Sequence, residues 1–191
     1  TVELLEVQLV NAVAPFIIAA SAAIAPKPFV RDVAHSQINF IAESQLVDAH
    51  GTFDAWDAEI MFDAESVEAS SVLITIDAKS INTRIAQRDG HLRSNDFFAA
   101  DSFPTITFKS AFINKLGEDR INITGDLTIR GRTKRITIPS RLVFFDAARN
   151  VGRVKGQTTI DRNDFGASFQ PPVNRINPEI QLQFDIAFKA K

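Results

Sequence analysis

From Phe29 onward, apolar and polar side chains alternate with a period of two in run after run, the signature of strands that bury one face. Ile38, Phe40 and Ala42 alternate with Gln37, Asn39 and Glu43. Trp56, Ala58, Ile60 and Phe62 share a face, whereas Phe53 is out of phase with them, which a bulge near Asp54 would reconcile. Val72, Ile74, Ile76 and Ala78 alternate with Ser71, Leu73, Thr75 and Asp77. Pro104 restarts extended chain through Ile106 and Phe108, Ile121, Ile123, Leu127 and Ile129 follow, and Gly131 turns the chain into Ile136 and Ile138. Further strands are predicted over 142–145, 151–160 and 180–188. Eight or nine strands with one polar face and little helix imply an all-β antiparallel barrel or sandwich. A closed barrel of eight strands is just wide enough for a packed core or one ligand.

Two stretches depart from this pattern. Residues 84–101 place Arg88, Asp89, His91, Arg93 and Asp96 directly before Phe97 and Phe98, which predicts a short helix and loop rather than a strand. Charge opening onto aromatics suits the mouth of an apolar cavity, and it equally suits a solvated helix whose phenylalanines plug the core. Residues 1–28 form an apolar leader, with 20 uncharged positions between Glu6 and Lys27. Three readings stand for it: a secretory signal with a small-residue cleavage region, a membrane anchor, or a helix docked on the domain. Glu3 and Glu6 occupy positions where a signal carries positive charge.

Composition narrows the chemistry. The chain has 191 residues, enough for one domain with a sizeable core. It holds 16 Phe, one Trp and no Tyr, so its aromatic interior carries no hydroxyl in need of a partner and accepts dry packing or a hydrocarbon ligand alike. A net charge of -2 gives no overall attraction for nucleic acid. The charge is uneven: residues 43–68 hold eight acidic and no Lys or Arg residues, and residues 120–155 hold nine Lys or Arg against Asp126 and Asp146. The absence of cysteine excludes disulfides and thiolate chemistry, and His35, His50 and His91 show no metal-ligand spacing, so no metal site is expected.

Six ordered blocks then carry a resemblance. His35-Ser36-x-Ile38-x-Phe40, Gly51-x-Phe53 through Phe62-Asp63, Ser80-Ile81-Asn82-Thr83, Arg88-Asp89-x-His91-Leu92-Arg93-x-x-Asp96-Phe97-Phe98, Phe103-Pro104-x-Ile106-x-Phe108, and Gly125-x-Leu127-Thr128-Ile129-x-Gly131 resemble the YceI-like family, as does Asp161-Arg162-x-Asp164-Phe165-Gly166. The resemblance covers residues 29–191. It implies an extended lipocalin-like antiparallel eight-stranded barrel, exported to the bacterial periplasm, that encloses a long isoprenoid amphiphile such as a prenyl quinone or polyprenyl phosphate. Other members hold fatty-acid derivatives. Transient membrane contact and a homodimer are compatible with such a carrier.

On that basis the tail-binding wall is expected at Phe40, Trp56, Ile60, Phe62, Ile74, Ile76, Leu92, Phe97, Phe98, Phe108 and Leu127, and the head-group contacts at Arg88, His91 and Arg93. The competing reading of the charged residues pairs Arg88 with Asp89 and Arg93 with Asp96. The basic turn from Arg130 to Arg135 either rests on anionic lipid or is a solvated hairpin. Two other function classes stay open: a lipid-directed enzyme with His91 as base beside Asp89 or Asp96, and an accessory interaction module with a filled core. No nucleophile elbow or ordered catalytic set favours the enzyme.

Overall fold

The two-residue alternation becomes strands wherever one face has a core to cover. The structure is a computed structural model that describes residues 25–191. Its strands are β1 (Lys27–Arg31), β2 (Gln37–Ser44), β3 (Ala49–Phe53), β4 (Trp56–Phe62), β5 (Ser71–Asp77), β6 (Ile81–Asn82), β7 (Thr105–Lys115), β8 (Arg120–Ile129), β9 (Arg132–Asp146), β10 (Val151–Asp161) and β11 (Ile176–Ala190), with one α-helix, α1 (Ala86–Arg93), between β6 and β7.

All pairings are antiparallel, and three consecutive strands are each broken once. β1 and β2 flank a 3-10 turn at Val33–His35 and together pair with both β11 and the β3–β4 strand. β3 and β4 are separated by Asp54 and Ala55, and β5 and β6 by a second 3-10 turn, Ala78–Ser80. Joining each broken pair gives eight strands, closed where β1 meets β11. The break at Asp54 explains the phase slip: Phe53 and Trp56 are both buried because the chain resets between them.

One expectation changes in detail. The strands predicted separately around 136–138 and 142–145 are a single strand, β9, that runs through Pro139. Pro139 pairs with Asn122 of β8, while the pairing of β9 with β10 begins only at Ser140. The missing N–H therefore falls where the second neighbour has not yet joined the ladder.

The interior is built from the inward phase of every strand. On β10 the inward positions include Gly152 and Gly156, which face Phe188 and Phe184 across the ladder. A Cβ at Gly156 would lie 2.5 Å from Phe184 Cζ, and one at Gly152 would lie 2.4 Å from Phe188 Cζ. The rings thus fold flat over the glycines and cover the wall, leaving the centre of the barrel free.

The same β10–β11 seam carries an ion cluster on its outer side. Asp185 accepts two hydrogen bonds from Arg153, at 2.7 Å each, and lies 3.1 Å from Lys155 Nζ. The Arg153 hydrogen bonds, aided by Lys155, hold the Asp185 carboxyl below its ordinary value despite partial burial. A lowered folded pKa contributes stability that is complete above the unfolded value and is lost as pH falls through the folded one. Asp185→Asn is expected to cost about 1 kcal/mol near neutrality. Urea unfolding at neutral pH and below about pH 3 checks this: the gap between variant and wild type should close on acidification.

Candidate ligand cavity

The flat rings and the alternating aliphatic positions enclose a cavity of about 420 Å³ along the barrel. That volume falls in the range of small-molecule sites. Its wall is almost wholly apolar, with Ile74, Ile76, Ile106, Phe108, Ile123 and Leu127 from β5, β7 and β8 facing Ile180, Leu182, Phe184 and Ile186 of β11.

The floor is aromatic. Phe62 and Phe188 face the cavity with centroids 5.2 Å apart. Phe29 packs edge-on to both, at 5.9 and 5.5 Å, and Phe145 lies 4.9 Å from Phe62.

At the other end, α1 and the loop between β10 and β11 form the mouth. His91, Phe97 and Phe169 meet there edge to face, with centroids 5.0 to 5.6 Å apart. His91 Nε2 is 2.8 Å from Asp96 Oδ2. The helix is tied down through Thr83: buried Asp89 accepts from its N–H at 2.8 Å and its hydroxyl at 2.5 Å, and Arg88 donates to its Oγ1 and carbonyl at 2.8 and 3.0 Å.

Arg162 completes this end. It is 5% exposed, and its guanidinium donates to the carbonyls of Ala167, Phe169, Ile176 and Asn177 rather than to a carboxylate. Burial pushes its pKa down. Among the described residues, the ionisable groups lining the cavity are Arg88, His91 and Arg162, all basic; no Asp or Glu lines it.

Of the residues expected in the wall, Phe40, Ile60, Phe62, Ile74, Ile76, Leu92, Phe97, Phe98, Phe108 and Leu127 border the cavity, and Arg88 and His91 border its mouth. Trp56 does not. It is buried under the Arg31 guanidinium, which lies 4.0 Å from the ring centroid and donates to the Trp56 carbonyl, so the indole is occupied in a cation–π stack. Arg93 is also displaced from the expected site, because its Nη2 donates to the Ile81 carbonyl at 2.9 Å and anchors α1 to β6. Neither charge pair weighed for the helix forms: Arg88 and Asp89 both turn to Thr83, and Asp96 pairs with His91 instead of Arg93.

The basic turn is largely engaged. Arg130 donates to the Gly166 carbonyl, Lys134 pairs with Asp164 at 3.1 Å, and Arg135 pairs with Asp126 at 2.8 Å. Arg162 and Phe169 were not anticipated. Phe169 lies in a loop without periodicity, and Arg162 stood out only as a member of the Asp161-Arg162-x-Asp164-Phe165-Gly166 block, with no role attached to it.

Among the described residues no group of three or more metal-ligating side chains occurs, and no helix is long and apolar enough to cross a membrane. The apolar leader expected over residues 1–28 falls mostly outside the described residues.

Eight antiparallel strands closed around an apolar lumen, with a short helix at its mouth, define a lipocalin-like barrel. The YceI-like domain matches residues 29–188, and the chain belongs to that family. A UPF0312 protein of Vibrio cholerae is 31% identical over 78% of this chain and 82% of its own length. Protein YceI of Escherichia coli is 37% identical over 65% of each chain. Among solved structures, a YceI protein of Campylobacter jejuni matches with a TM-score of 0.70 at 27% identity, covering 77% of this chain and 88% of that one. A polyisoprenoid binding domain from Saccharophagus degradans shares the fold, with a TM-score of 0.66 at 18% identity over 85% of this chain and 98% of its own.

Proposed function

We propose that this protein binds and carries a long isoprenoid amphiphile, such as a prenyl quinone or polyprenyl phosphate, without catalysing its conversion. The observation that carries the reading is the cavity itself: about 420 Å³ of apolar lumen under a mouth whose lining charges are all basic. Each buried methylene contributes about 0.8 kcal/mol, so two five-carbon units supply roughly 8 kcal/mol before the costs of association are subtracted. Affinity comes from the tail. Arg88 and His91 at the rim supply donors for a quinone oxygen or phosphate, and buried Arg162 adds positive potential behind them.

The family membership and the fold shared with a polyisoprenoid binding domain support the same reading. The pairing of His91 with Asp96 at 2.8 Å is one that the enzyme reading named, and among the described residues no hydroxyl side chain is hydrogen-bonded to that imidazole. Periplasmic export, with the apolar leader as its signal, fits a carrier of lipid between membranes.

Native mass spectrometry, followed by organic extraction and mass analysis of what is released, tests the proposal. The expected result is one prenyl lipid per chain, or stoichiometric uptake of added prenyl quinone by empty protein. Protein that is empty and takes up none overturns the reading.

A further inference from the structure

The cavity mouth carries an exposed apolar tip. Leu46, Val47 and Val173 are 69%, 65% and 71% exposed, although large aliphatic side chains normally sit inside. They come from two loops distant in sequence, 45–48 and 166–175, that are laced together. Leu46 N–H donates to Asn174 Oδ1 at 2.7 Å, Gln45 N–H to the Arg175 carbonyl at 3.1 Å, and Arg175 N–H to Gln45 Oε1 at 3.3 Å. The exposed side chains therefore stand on a braced rim rather than on independent loops. That rim is continuous with the cavity, because Val47, Pro171 and Asn174 also border the lumen.

We infer that this tip is a membrane-docking surface that inserts into a phospholipid bilayer and sets the lumen mouth against the lipid tails. The inference rests on the proposed function, since a prenyl tail crossing water loses burial at every methylene. A mouth seated in the bilayer spares it that exposure. The polar neighbours fit insertion by apolar side chains: Asp48 and Arg175 carry opposite charges on the two loops, so no net charge there demands an anionic surface. In the basic turn nearby, Arg130, Lys134 and Arg135 are engaged by the Gly166 carbonyl, Asp164 and Asp126, which makes the apolar tip the driving element.

The chain contains no cysteine, so one introduced thiol labels uniquely. Full-length Val173→Cys carrying an environment-sensitive dye should shift to the blue on adding phosphatidylcholine vesicles, at low and high salt alike. The same dye on Glu118→Cys, in the exposed β7–β8 turn at the opposite end, should not. In the unlabelled protein, Leu46→Asp with Val173→Asp should slow extraction of a prenyl quinone from those vesicles by about ten-fold, while uptake from detergent micelles stays at the wild-type rate.

No shift at position 173, an equal shift at position 118, or a shift that appears only with anionic lipid at low salt overturns the docking surface. So does wild-type extraction by the double variant. A dimer that the double variant dissociates, with vesicle extraction unchanged, assigns the tip to a second copy of this chain and overturns it too. If no protein takes up quinone even from micelles, the carrier reading fails, and the dye shift still decides the docking surface.

Discussion

Ala42→Trp is expected to fold normally and to bind a prenyl ligand about 100-fold more weakly than wild type. Ala42 lies on the inward face of β2, opposite Ile180 and bordering the cavity. In a packed core the added ring would force neighbouring side chains off their rotamers at a cost of about 1–3 kcal/mol. Here it enters open lumen, so the unfolding midpoint should change little. The ring takes the place of tail atoms. Excluding three or four methylenes removes roughly 3 kcal/mol, a factor of about 100 in affinity. Titration with a prenyl quinone alongside urea unfolding separates the two effects: lost binding with kept stability supports the lumen as the ligand site, and kept binding refutes it.

Arg162→Met should have the largest effect on stability, about 3–5 kcal/mol. The methionine fills much of the same volume, but four carbonyls in the 167–177 segment lose their donor inside the protein. Arg162→Lys should recover little, because a single ammonium cannot reach four carbonyls with the fork geometry of a guanidinium. Urea unfolding gives the total cost. Hydrogen exchange should rise first in residues 167–177, including the stretch that brings Phe169 to His91; unchanged exchange there would contradict the pinning role.

The barrel was legible in the sequence because alternation is a local signal that survives wherever one face is buried, as in β5 and β8. What was not legible is instructive for physical reasons. The break at Asp54 could be inferred as a phase slip, but whether it was a bulge or a reset depended on β6 pairing with β3, a contact between distant residues. Trp56 shares the inward phase of β4 and was therefore expected in the wall, yet phase cannot show that Arg31 stacks on it. Arg93 and Arg88 sit five residues apart on one helix, and only tertiary contacts send one to Ile81 and the other to Thr83 at the cavity mouth. Phe169 carries no periodic signal at all, since its place beside His91 is set by the carbonyl bonds of Arg162.

The aromatic floor couples two properties that could have been independent. Phe29, Phe62, Phe145 and Phe188 belong to β1, β4, β9 and β11, and β1 and β11 form the seam at which the barrel closes. On the proposed function, Phe62 and Phe188, the two of these rings that face the cavity, would end the reach of a tail while also helping to fasten the cylinder shut. Trimming one to admit a longer ligand would also loosen the closure, so reach and robustness trade against each other in this barrel. A change of ligand length is more easily absorbed at the mouth, where the loops can vary without touching the seam.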